Sequence, residues 1–232
     1  VAVAVAHHDS GMVAVCGTAP TGKEDVADAM AQIFRPNQPG QPWVGDYQPP
    51  DQKPHKFAER VQDCVFSGET LALVGEANGR HGMELKTRDR LLIVRLDTGT
   101  STSAWTVAMP GAKLQSGAQA VDIDDLQRLV VAGYTCDDDC QLEADLRIYD
   151  ERDTIKWQVS LGSFPTKQFA VQDLEWSPAE YVVVATGGVS GNESAFTVRA
   201  FSTSQEEALW IFTRKDSQVL NFALALATGM FG

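Results

Sequence analysis

The groups in this chain whose chemistry could go beyond packing are four cysteines, four histidines and two acidic clusters. Cys136 and Cys140 bracket three aspartates in a polar, turn-like stretch. Three intervening residues can close a small bridged loop where the chain folds back, so a Cys136–Cys140 disulfide is expected. Two other readings stay open. A two-thiolate metal site would lack a nearby His or a second cysteine pair, and two free thiols would suit a reducing compartment. Cys16 and Cys64 each sit in an apolar, strand-like run, where a buried free thiol is common, and the sequence leaves open whether they pair.

His7-His8-Asp9 is the only histidine cluster, with His55 and His81 elsewhere. Neighbouring side chains on a strand point to opposite faces, so these two histidines could share a metal only in a turn. Asp122, Asp124 and Asp125 crowd one turn, and Asp137 to Asp139 lie between the cysteines. A hard cation wants six or more spaced oxygens with a glycine at the bend, which neither cluster offers. No glycine-rich phosphate loop, Gly-x-Ser-x-Gly elbow or His-Glu-x-x-His appears. The expectation is therefore no catalytic residue, no cofactor, no metal site and no enzyme activity of the chain's own.

The elements that must position these groups repeat. Trp43, Trp105, Trp157 and Trp210 recur at intervals of 62, 52 and 53 residues, each after an apolar run and a polar turn. Upstream of them Val13–Gly17, Leu71–Gly75, Leu129–Gly133 and Val182–Thr186 align without gaps, with Thr186 in the place of glycine. Short turns at Asp9-Ser10-Gly11, Ser67-Gly68-Glu69, Asp124-Asp125 and Ser177-Pro178-Ala179 precede these runs, and another apolar run precedes each turn. One unit thus predicts four antiparallel strands in about 55 residues, the last strand opening on its Trp. Residues 24–34 have near-helical apolar spacing but fill a third-strand slot, and strand is expected there. The six prolines from Pro36 to Pro54 make the last strand of the first unit irregular or an exposed edge.

Tandem four-stranded units of this length predict an all-β fold, a β-propeller made of four-stranded antiparallel blades. Each blade is apolar on both faces and must stack on its neighbours. The expected blades are 1–60, 61–117, 118–170 and 171–218, with 219–232 starting a fifth. The apolar stretch Phe222–Phe231 has no place in a closed four-bladed ring. Further blades are therefore expected, in cis or from another chain. The four cyclic Trp residues read as structural blade residues, packing between blades. Trp176 breaks the cycle at a first-strand position, and a binding role is considered for it.

The run Ala120–Thr135, with its AVDIDDLQRLVVAGYT pattern, resembles the SBBP-type β-propeller repeat of secreted and surface bacterial proteins. Its continuation through Ala144 to Leu161-Gly162 resembles the third strand and Trp-before-Leu-Gly of that repeat. The strand–turn–Trp element is also similar to the tryptophan-docking motif of quinoprotein propellers. There a Trp follows an Asp by eight residues, as Trp105 follows Asp97; Trp157 follows Asp150 by seven. Arg35 and Ser202 hold the Asp place in the other units, and Thr98-Gly99 comes early, departures that favour a shared structural role over a shared cofactor.

The net charge is −12, which repels phosphate backbones and anionic headgroups; neither nucleic acid nor membrane insertion is expected. The resemblance and the cysteines together imply an extracytoplasmic setting: secreted, periplasmic or cell surface. The expected function is a non-enzymatic scaffold or binding module for protein or glycan partners. Two rivals are part of a quinoprotein-like enzyme whose active residues lie outside this chain, and a self-assembling structural subunit.

Overall fold

A computed structural model describes residues 1–20, 27–36, 38, 40–44, 58–79, 88–100, 102–108, 115–136, 142–164, 171–177, 181–190, 193–203, 205 and 207–216. Among these residues all regular structure is strand, arranged as four four-stranded antiparallel sheets. The first sheet is β1 (Ala2–His7), β2 (Val13–Pro20), β3 (Ala27–Phe34) and β4 (Gln41–Val44). The second is β5 (Ala58–Ser67), β6 (Thr70–Gly79), β7 (Arg88–Asp97) and β8 (Thr102–Ala108). The third is β9 (Gln115–Ile123), β10 (Leu129–Cys136), β11 (Leu142–Tyr149) and β12 (Ile155–Phe164). The fourth is β13 (Asp173–Ser177), β14 (Tyr181–Ser190), β15 (Glu193–Ser202) and β16 (Ala208–Asp216). Every sheet is a meander in chain order, which is the blade of a propeller. Residues 27–34 of the near-helical stretch form β3, because a third strand must pair with β2 from Val13↔Phe34 to Pro20↔Ala27. Pro42 sits in the four-residue edge strand β4, where its missing donor breaks no ladder. The expected fifth-blade stretch lies outside the described residues.

The chain forms two compact units, residues 1–118 and 119–232. In the first, β5 lies against β1, β2 and β3. Ala14, Cys16, Ala31 and Ile33 of the first sheet meet Leu71, Leu73, Leu92 and Val94 of the second in one core. In the second unit, Val130, Ala132, Leu146 and Ile148 of the third sheet pack against Leu174, Trp176, Val182 and Val184 of the fourth. Alternate residues of one strand thus face opposite ways, and a strand buried on both faces, such as β10, carries a continuous apolar run.

Two of the repeated glycines, Gly17 within β2 and Gly75 within β6, have a steric cause. Strand β1 is irregular between Ala2 and Ala4, and β5 between Val61 and Asp63. Each irregularity pushes a carbonyl onto the neighbouring strand. A Cβ at Gly17 would lie 2.0 Å from the Val1 oxygen, and one at Gly75 would lie 1.8 Å from the Arg60 oxygen. In the fourth sheet β13 pairs with β14 in unbroken register from Asp173↔Ala185 to Ser177↔Tyr181. That register stops one residue short of Thr186, which takes the glycine's place, and beyond it the Gln172 N–H donates to the Ala185 carbonyl at 2.9 Å.

Candidate functional site

The turn from β9 to β10 is built by Asp124. Its backbone N–H donates to the Arg128 carbonyl at 3.1 Å, and its carbonyl accepts from Gln127 N–H at 3.0 Å. Its side chain accepts from the Leu126 and Arg128 amides at 3.0 and 2.7 Å. Gln127 takes a left-handed φ of 62°, which lets a three-residue turn rejoin the strand. The same turn recurs between β1 and β2, where His8 N–H donates to Met12 and Gly11 to His8, with Ser10 N–H donating to His8 Nδ1. It recurs again between β11 and β12, where Asp150 accepts from Arg152 and Thr154.

The side chains around the β9–β10 turn enclose a pocket of about 400 Å³, lined by Ile123, Asp124, Asp125, Leu126, Arg128, Trp176 and Ser177. Trp176 comes from β13, so two sheets contribute. The Arg128 guanidinium lies over the Trp176 ring at 4.9 Å from its centroid, a cation–π contact. Its Nε donates to Asp124 Oδ2 at 2.6 Å. Below, Asp122 Oδ2 accepts the Trp176 backbone N–H at 2.6 Å and Asp122 Oδ1 accepts that of Ile123 at 2.7 Å. Burial pushes the Asp122 carboxyl up to about 6, over the opposing effect of these two amides. The arrangement combines an anchored cation, carboxylates and an apolar wall, which is binding chemistry.

The structure brings Asp122, Asp124, Asp125 and Trp176 together, with the acidic groups engaged in turn and inter-sheet bonds. Arg128, Leu126 and Ser177 complete the pocket and were not singled out by sequence. Arg128 follows Asp124 by four residues and Trp176 stands off the repeat, but nothing in the chain signals that the two meet. His7 ends β1 and His8 opens the following turn. The His8 ring meets Phe66 edge-on, with centroids 5.7 Å apart. Among the described residues, no three His, Cys, Asp or Glu side chains converge as a metal would need.

Cys16 of β2 is disulfide-bonded to Cys64 of β5, tying the first two sheets together. Buried disulfides persist in oxidising compartments, so this bond points to an extracytoplasmic setting. Cys136 is buried at the end of β10. Cys140, Asp137 to Asp139, His55 and His81 lie outside the described residues, and the Cys136–Cys140 pairing with them.

Trp43, Trp105, Trp157 and Trp210 all stand on the fourth strands of their sheets, paired with Ala31, Val94, Ile148 and Ala200. Trp43 and Trp157 pack on the cores of their units, Trp157 against Phe201 at 6.0 Å, whereas Trp210 is 47% exposed. Asp97 and Asp150, the aspartates before two of them, cap turns: Asp97 accepts from Gly99 and Thr100, and Asp150 from Arg152 and Thr154. Arg35, in the same place in the first unit, donates instead to the Thr98 carbonyl at 2.7 Å. No protein-family model matches the chain, and no curated protein matches it.

Proposed function

We propose that the chain is a non-enzymatic binding module, a run of SBBP-type propeller blades in a secreted or cell-surface protein. Its partners are protein or glycan, met at the Arg128–Trp176 pocket. The pocket is the observation that carries this reading: stiff sheets hold its cation and its aromatic in one place, as recognition at blade-edge turns requires. The Cys16–Cys64 bond supports the extracytoplasmic setting.

A photo-crosslinking residue at Leu126, 65% exposed at the pocket, tests it against one at Ile155, 47% exposed away from the pocket. Incubated with an extracellular fraction of the source cells, position 126 is expected to give adducts that position 155 does not. Equal or absent adducts at both positions would refute the reading.

One observation favours self-assembly as a second reading. Leu209, Trp210, Ile211 and Phe212 are all exposed on β16, which among the described residues is an edge strand, and such an edge can receive another chain. Light scattering should then show association that Ile211→Lys abolishes.

A further inference from the structure

We infer that the Arg128–Trp176 pocket is a saccharide site, taking a neutral mono- or disaccharide through two adjacent hydroxyl groups. This rests on the binding-module reading and names its ligand class. The turn itself does not need these residues. The β1–β2 turn makes the same two backbone bonds, and the same side-chain bond to the amide two residues on, with His8 where Asp124 stands and Met12 where Arg128 stands. Phe66, one residue before Ser67, occupies there the place that Trp176 holds before Ser177. A guanidinium stacked on an indole is therefore an addition to a turn that is stable without it.

The site also holds polar groups that the turn leaves unspent. Arg128 gives its Nε to Asp124 and its face to Trp176, and its two terminal amino groups have no partner among the described residues. They form a donor pair whose position is fixed from behind and below. Asp125 is exposed on the same turn, and its carboxylate makes no bond among the described residues. Leu126 supplies an exposed apolar wall.

A hydroxyl both donates and accepts, so a vicinal diol can accept from the guanidinium edge and donate to Asp125 at once. An anion would use the same edge but must approach Asp124 and Asp125 on a chain of net charge −12. A cation would meet Arg128. A free amino acid could pair both charges, but it must strip two ionic hydration shells to enter, which costs more than desolvating hydroxyls. The volume of about 400 Å³ is at the small end for ligand pockets, and suits one or two sugar rings.

The test is an array of neutral saccharides, followed by calorimetric titration with cellobiose, maltose, N,N′-diacetylchitobiose and, as the zwitterionic control, leucine. The expected result is saturable binding of at least one neutral saccharide, at least tenfold weaker in Arg128→Met and several-fold weaker in Asp125→Asn. Asp125 is exposed, so the second variant keeps its fold if the first does not. No neutral saccharide bound, or unchanged affinity in Asp125→Asn and in folded Arg128→Met, overturns the inference. Binding of leucine alone overturns it too, while leaving the binding-module reading standing; crosslinking equal or absent at positions 126 and 155 removes that reading separately.

Discussion

Asp122 on β9 accepts the backbone N–H of Trp176 on β13 at 2.6 Å, one carboxylate joining the third sheet to the fourth. The carboxyl is raised from 3.8 to about 6, chiefly by burial. The folded state therefore holds this proton more tightly than the unfolded chain. Its contribution favours folding below about pH 4 and is lost as pH rises through 6. Lowering pH from 7.5 to 5 should stabilise the wild type relative to Asp122→Asn by roughly 1 kcal/mol, part of the roughly 3 kcal/mol that the whole shift carries. Asp150 works in the opposite direction: Lys156 and the turn amides lower it to about 2, so its contribution is lost only below about pH 4. Denaturant melts at pH 5, 6 and 7.5 separate the two, and a pH-independent difference between wild type and variant would rule out the Asp122 effect.

Breaking the Cys16–Cys64 bond removes a constraint on a 48-residue separation. Replacing both cysteines by Ala, or adding reductant, should lower stability by about 3 kcal/mol, read in the unit of residues 1–118. Thiol alkylation of the native, non-reduced protein should leave both unlabelled.

Gly75→Ala places a methyl 1.8 Å from the Arg60 oxygen, so β5 must move or unpair. A loss of about 3 kcal/mol is expected, at the upper end for overpacking. Thr186→Gly, at the aligned position of the fourth sheet, should cost about 1 kcal/mol, the price of a flexible residue in a strand. Comparable losses at both would mean that the displaced carbonyl is not the cause.

Arg147 and Asp145 form a buried ion pair on β11, joined by Gln158, whose Nε2 donates to Asp145 Oδ2 at 3.1 Å. Among the described residues Asp145 Oδ1 has no partner, and burial raises the carboxyl above its ordinary value. Asp145→Ala strands a buried guanidinium and should cost about 3–5 kcal/mol. The double variant Asp145→Leu with Arg147→Met should recover most of that, as chemical denaturation would measure.

Trp157→Ala should cost about 3 kcal/mol, since its ring fills the core beside Phe201. Trp210→Ala, at a half-exposed ring, should cost under about 1 kcal/mol. Equal losses would mean that Trp210 is covered in solution.

The strand order was legible in the sequence because backbone pairing is local. Four meanders need only apolar runs, turn residues at Asp9-Ser10-Gly11 and Asp124-Asp125, and a Trp opening each last strand, all of which recur along the chain. The off-cycle position of Trp176 was legible for the same reason. What the tertiary structure decided is what happens between sheets. Cys16 meets Cys64, and Arg128 meets Trp176, because residues 48 apart in each case are set on facing sheets by stacking. No spacing rule along one chain encodes which face a strand turns to its neighbour. The need for glycine at Gly75 has the same origin: beside an irregularity in the adjoining strand, which composition does not record, the Arg60 carbonyl lies against it.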